Sequence, residues 1–152
     1  MKAFKSRYLQ KCRDQQIEPI QTILHLSEDI DRDVLPILNL GELTLGVKNA
    51  IAIAHALEGN QIFKEIILSE SYMGDDGCVA VCNALQKNVS CSLLNLKGGN
   101  IHAKGATAIA RLLKVNRSIQ SLILEWNNIG VYETGITEIS QALRTNRTLT
   151  SK

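Results

Sequence analysis

Aromatic residues are scarce in this chain: two Phe, three Tyr and one Trp make 4% of its 152 residues. A core built without them must be aliphatic, and 45% hydrophobic content is enough for one compact domain of Leu, Ile, Val and Ala. An excess of charge is missing too. Seventeen basic against fifteen acidic side chains leave a net +2, which gives no electrostatic case for nucleic acid or a membrane surface as partner. No apolar run approaches the roughly 18 residues that a spanning helix needs. Met1-Lys2-Ala3-Phe4-Lys5 is basic but has no apolar stretch behind it, so it does not read as a signal peptide. A reducing, cytoplasmic setting is the expectation.

What the chain does have is self-similarity. Leu38-Asn39-Leu40, Ile66-Ile67-Leu68, Leu94-Asn95-Leu96 and Leu122-Ile123-Leu124 follow one another at a constant 28-residue step. Five positions after each second leucine stands Leu45, Met73, Ile101 or Ile129, followed by Gly46, Gly74, His102 or Gly130. Ala54, Cys82 and Ala110 keep the same step, and the units close on Asn60, Asn88, Asn116 and Asn146. Gly77 to Gly105 is one such step, but Gly105 to Gly135 is longer by two, which places an insertion in Val131-Tyr132-Glu133-Thr134. An x-L-x-L-x stretch alternates inward leucines with outward residues, the period of a strand. The segment after it puts Ala106, Ile109, Ala110 and Leu113 on one helical stripe, and small residues there let the helix lie close to the strand layer. Asparagine tolerates a left-handed backbone and suits the helix C-terminus. One unit alone cannot bury its apolar side; stacked units bury a continuous one.

Phe63-x-x-Ile66-x-Leu68, Cys91-x-x-Leu94-x-Leu96 and Ile119-x-x-Leu122-x-Leu124, with a helix per 28-residue unit, resemble the ribonuclease-inhibitor class of leucine-rich repeats. The resemblance covers about residues 35 to 150 and implies an α/β solenoid, a right-handed arc with parallel strands concave and helices convex. The pattern departs at the usual ladder asparagine, three positions after the second leucine. That position holds Leu43, Ser71 and Gly99, and asparagine only at Asn127. The first three turns must therefore satisfy their backbone differently, with water as the expected donor.

Four units are expected at about 35–60, 61–88, 89–116 and 117–146, behind a helical cap over 1–34. Phe4, Tyr8, Leu9 and Cys12 predict a first amphipathic helix. Pro19 suits the first turn of a second, with Ile20, Ile23 and Leu24 as its apolar side. Ser27 to Asp33 reads as a polar link. Residues 147–152 read as the start of a truncated fifth unit, since Leu149 stands where Ile119 stands in the unit before, once the insertion is allowed for. Arg117 to Asn128, Leu96 to Asn100, and Phe4-x-x-x-Tyr8-x-x-x-Cys12-Arg13 with Glu18-Pro19 also resemble the N-terminal repeat region of a centrosomal-linker family. In that family a long coiled coil follows the repeats. The resemblance implies centrosome cohesion through protein contacts.

The chemically versatile side chains fall into the repeat. Cys78 stands where Ala50 and Ala106 stand, Cys82 where Ala54 and Ala110 stand, and Cys91 where Phe63 and Ile119 stand, so these are expected to be core thiols. His25, His55 and His102 share no site with metal-binding geometry, and none has a nucleophile partner in view. Asp75-Asp76 reads as capping and dipole complementation at a helix start. Gly98-Gly99 is a turn without the lysine and hydroxyl residue of a phosphate loop. Asn88, Asn116 and Asn146 match glycosylation acceptors as a by-product of the repeat. No catalytic group, cofactor or metal is expected.

The concave face is the informative surface. Its outward positions are Asn39, Gly41 and Glu42; Glu65, Ile67, Ser69 and Glu70; Leu93, Asn95, Lys97 and Gly98; and Ser121, Ile123, Glu125 and Trp126. Ile67, Leu93, Ile123 and Trp126 are apolar where the strand pattern points to solvent, and an apolar patch rimmed by Glu and Lys is what a partner site looks like. The competing explanation is that such residues on short parallel strands merely pack on each other. A non-catalytic scaffold for other proteins is the leading expectation, with weak self-association through the open C-terminal end. The rivals are an enzyme regulator of GTPase-activator or nuclease-inhibitor type, and an actin pointed-end cap. The first needs a longer arc, the second a strongly acidic face, and the third a longer N-terminal helix.

Overall fold

The computed structural model describes residues 1–26, 35–131 and 133–150. It opens on α1 (Lys2–Gln15), where Phe4, Tyr8 and Cys12 fall at four-residue steps and are buried, while Leu9 is half-buried. Gln16 ends the helix in a left-handed conformation, φ 53° and ψ 48°. Its N–H and that of Ile17 donate to the carbonyls of Arg13 and Cys12. The short α2 (Gln21–Leu24) is capped by Ile20, so Pro19 stands one residue ahead of the cap and not within the first turn. The Tyr8 hydroxyl accepts from the Ile20 N–H at 2.9 Å and donates to Asn49 at 3.4 Å. Phe4 meets Phe63 edge-on, with ring centroids 5.0 Å apart. Arg7 pairs with Glu58 at 2.9 Å. These contacts fasten α1 to the first repeat, and Tyr8 ties the start of α2 to α1. The link Ser27 to Asp33 lies outside the described residues.

From there strand and helix alternate: β1 (Ile37–Asn39), α3 (Gly46–Leu57), β2 (Glu65–Ile67), α4 (Gly74–Leu85), β3 (Leu93–Asn95), α5 (Ala103–Val115), β4 (Ser121–Ile123) and α6 (Glu133–Thr145). The strands form one parallel sheet in chain order, with Leu38, Ile66, Leu94 and Leu122 side by side. Each of these central residues is buried, which is why the 28-residue step survives as a register. Each helix packs on the next, from α1 through α3, α4, α5 and α6. Strands sit about 4.8 Å apart and packed helices about 8–10 Å apart, so the row must bend with its strands on the inside. Between the layers lie Leu40, Leu68, Leu96, Ile53, Val81, Ile109 and the small Ala50, Ala54, Cys78, Cys82, Ala106 and Ala110, all buried. The insertion appears as a 3-10 turn over Ile129–Val131, and it delays the start of α6 to Glu133, two positions beyond where the step from Ala103 of α5 would put it. Tyr132 lies outside the described residues.

The structure corrects two expectations. The unit-closing asparagines do not adopt left-handed backbone: Asn116 has φ −72° and ψ 138°. They form a buried ladder. The Asn88 amide donates to the Asn60 carbonyl at 2.8 Å, Asn116 to Asn88 and Leu85 at 2.9 Å each, and Asn146 to Leu113 at 2.8 Å. Their side-chain oxygens accept from the N–H groups of Ser90 and Cys91, Ser118 and Ile119, or Thr148 and Leu149. A short amide that both donates and accepts can close a helix end and open the next strand together, and extended backbone aims it that way.

The first two strand-to-helix turns bond the neighbouring repeat's backbone. The Gly46 N–H donates to Ser71 O at 3.0 Å and the Gly74 N–H to Gly99 O at 2.9 Å. Asn127 serves the third and fourth turns, donating to Leu96 O and Leu124 O and accepting from the Ile101 N–H. Asp75 lies in the first turn of α4 yet caps the following helix. Its carboxylate accepts from the N–H groups of His102 (2.8 Å) and Gly105 (2.9 Å) at the start of α5, while Lys104 pairs with Asp76.

Candidate protein-binding face

Outward side chains stack in columns, because equal register puts repeat-equivalent residues on adjacent strands. One column runs Glu65, Leu93, Ser121 and the next Ile67, Asn95, Ile123. All six are half-buried. The apolar members are therefore staggered: Asn95 separates Ile67 from Ile123, and Leu93 sits in the other column. Asn95 also turns its side chain onto the Lys97 N–H at 3.0 Å. Past the strands come Ser69, Lys97 and Glu125, of which Glu125 is exposed.

The next column, Glu42, Glu70, Gly98 and Trp126, has left-handed backbone throughout, with φ of 63°, 54°, 63° and 59°. No residue type is common to it, so sequence alone gives no sign of the shared conformation. Glycine is at ease there; tryptophan is not, and the conformation costs about 1 kcal/mol or more. Trp126 is nevertheless 80% exposed, the most exposed large apolar side chain among the described residues. Gly98 opens a notch between Trp126 and Glu70. A Cβ at position 98 would collide with the Glu70 carboxylate, which leans into the space that the missing side chain leaves. Tyr72, 58% exposed, and Asn100 close the far side, again with positive φ. The notch, about 380 Å³, is lined also by Lys97 and Asn128. Tyr72, Asn100 and Asn128 are not among the site residues expected from sequence; their 28-residue spacing and the exposure of a tyrosine are the signal that finds them.

Among the described residues the ion pairs are Arg7–Glu58 and Lys104–Asp76, with His55 also 3.7 Å from Glu58, and none of these lies on this face. Among the described residues of this face, Glu42, Glu65, Glu70 and Glu125 stand against Lys97, and none of the five is in an ion pair. No group of three or more His, Cys, Asp or Glu suited to a metal occurs among the described residues. The four cysteines are free and buried. Burial pushes the Cys91 thiol up to about 12. The Cys82 contact, then burial, raises that of Cys78. Such thiols are neutral and poorly nucleophilic. No helix among the described residues is long and apolar enough to cross a membrane.

A second concavity, about 220 Å³ and almost wholly apolar, lies at the last repeat between Leu113, Leu122, Leu124, Ile139, Leu143 and Leu149. There the Thr150 N–H donates to Gln120 O at 2.8 Å, the bond that Gln120 makes to Ser92 one unit earlier.

Four strand–helix units in register, with buried leucines inside and an asparagine ladder along one edge, define a leucine-rich-repeat protein. No family model matches the chain. It is a homologue of leucine-rich repeat-containing protein 45: it is 33% identical to that protein of Gallus gallus over 149 residues, 98% of this chain and 22% of the relative. The chain spans about a fifth of that relative's length. Among solved structures, leiomodin-1 actin-binding site 2 shares the fold with a TM-score of 0.68 and 25% identity, covering 76% of this chain and 67% of that one.

Proposed function

We propose that this chain is a non-catalytic interaction module that binds another protein on its strand face, through Glu65, Ile67, Ser69, Glu70, Leu93, Asn95, Lys97, Ser121, Ile123, Glu125 and Trp126. The observation that carries the reading is Trp126: a large apolar side chain, almost fully exposed, held in a costly backbone conformation beside a notch. Strain of that kind persists where function uses it, and tryptophan is the residue type most enriched among interface anchors. Centrosome cohesion in the cytoplasm, implied by the sequence resemblance, belongs to the same proposal. The test is photocrosslinking in cells, with the reactive side chain placed at Ile123 or, on the helix side, at Lys114. A protein crosslinked from Ile123 and not from Lys114 supports the reading; crosslinks from Lys114 alone refute it.

Two further contacts are proposed on separate observations. The likeness to leiomodin-1 actin-binding site 2 favours actin as a second candidate partner. Co-sedimentation with filaments and a monomer-binding assay decide it. The apolar concavity beside Leu122 and Leu149 favours weak self-association of the isolated chain. Sedimentation equilibrium reads this, and a strict monomer at high concentration refutes it.

A further inference from the structure

We infer that the notch between Glu70 and Trp126 takes the guanidinium of an arginine from the partner protein. The inference rests on the strand-face reading above and names the chemistry of what that face binds.

Three observations meet at one place. The Glu70 carboxylate leans into the space that Gly98 leaves empty, and none of the ion pairs among the described residues includes it. Trp126 and Tyr72 stand exposed and line, with that carboxylate, the same 380 Å³ concavity. Around it the face carries Glu42, Glu65, Glu70 and Glu125 against Lys97, although the chain as a whole is +2. The acidic excess is thus local to the face.

A concavity lined by a carboxylate and two aromatic side chains places narrow terms on its occupant. The occupant must be cationic, flat enough to lie against an indole, and able to present parallel N–H groups to a carboxylate. A guanidinium meets all three conditions, whereas an ammonium meets only the first. Acidic and purely aliphatic segments meet none. Lys97 lines the same notch and opposes any cation, so it sets an upper limit on affinity and favours a segment with an acidic residue near its arginine.

Trp126 is the chain's single tryptophan, so its emission reports on the notch directly. The test titrates the whole chain with three short peptides at low salt: hexa-arginine, hexa-glutamate, and a neutral Leu/Ser peptide. Hexa-arginine is expected to change Trp126 emission saturably and the other two to do nothing. Glu70→Gln should weaken binding about tenfold and Lys97→Gln should tighten it. Hexa-lysine should bind more weakly than hexa-arginine, and Glu138→Gln on α6 should change nothing. Saturable binding of hexa-glutamate or of the neutral peptide in place of hexa-arginine overturns the inference and leaves the strand-face reading standing. Hexa-arginine binding that is indifferent to Glu70→Gln, or equalled by hexa-lysine, also overturns the inference. If no peptide binds and the Ile123 crosslink also fails, both readings fall.

Discussion

The side-chain amide of Asn116 donates to the backbone carbonyl of Asn88, one repeat earlier, at 2.9 Å, while its oxygen accepts from the N–H groups of Ser118 and Ile119. One buried residue thus ties three segments of backbone together. Asn116→Ala would leave several buried polar groups without partners, at about 1–3 kcal/mol each before relaxation. The expected loss of stability is about 3 kcal/mol, read as a lower urea midpoint at unchanged slope. Asn60→Ala, at the half-buried start of the ladder, should cost about 1 kcal/mol.

Ser71 occupies the turn position where this repeat class usually has asparagine, and its fully buried hydroxyl has no hydrogen-bond partner among the described residues. An unpaired buried hydroxyl has lost its hydration for nothing in return. Ser71→Ala is therefore expected to be neutral or to stabilise by about 1 kcal/mol in thermal or urea unfolding. A loss of about 2 kcal/mol or more, the cost of breaking a made bond, would mean that the hydroxyl is bonded after all.

The buried thiols set an alkaline limit. Burial raises Cys91 from the ordinary 9.0 to about 12, and Cys78 is raised as well. Folded protein therefore holds these protons to higher pH than unfolded protein does. Their contribution is complete below pH 9 and is lost as pH rises toward 12, by about 1.4 kcal/mol per pH unit for each group. The urea midpoint should fall between pH 9 and 11, and fall less steeply in Cys91→Ala. At pH 8 a thiol reagent should label Cys78, Cys82 and Cys91 only after denaturation. Rapid labelling of native protein would contradict their neutral, buried state.

Trp126→Gly should raise stability. The side chain is 80% exposed, so little buried area is lost, and its φ of 59° is one that glycine adopts freely, as Gly98 does one repeat earlier. About 1 kcal/mol of stabilisation is expected by urea unfolding. A destabilised variant would show that the indole is part of the core.

The repeat was legible in the sequence because burial acts on it directly. Leu38, Ile66, Leu94 and Leu122 must all face inward in one register, and that constraint writes itself as a 28-residue step. Cys78, Cys82 and Cys91 were legible for the same reason, each standing where an alanine or another apolar residue stands in a neighbouring unit. The asparagine ladder was visible as a period but not as a role. Asparagine suits both a left-handed turn and a bridging amide, and only the extended backbone at Asn116 separates them. Asp75 shows a limit of a different kind: a capping residue is paired by sequence with its own helix, whereas here the partner is α5 of the next unit. The notch was hidden because its shared property is a backbone angle. Glu42, Glu70, Gly98 and Trp126 have no chemistry in common, and Tyr72 enters only once the turns are stacked.

If the strand face binds protein, Trp126 anchors the contact. Isothermal titration of the protein recovered by crosslinking at Ile123, against wild-type chain and Trp126→Ala, tests it most directly. Trp126→Ala is expected to lose about 30-fold or more in affinity, about 2 kcal/mol, with the melting temperature preserved. A folded Trp126→Ala that binds as tightly as wild type, or a variant that unfolds, would contradict it.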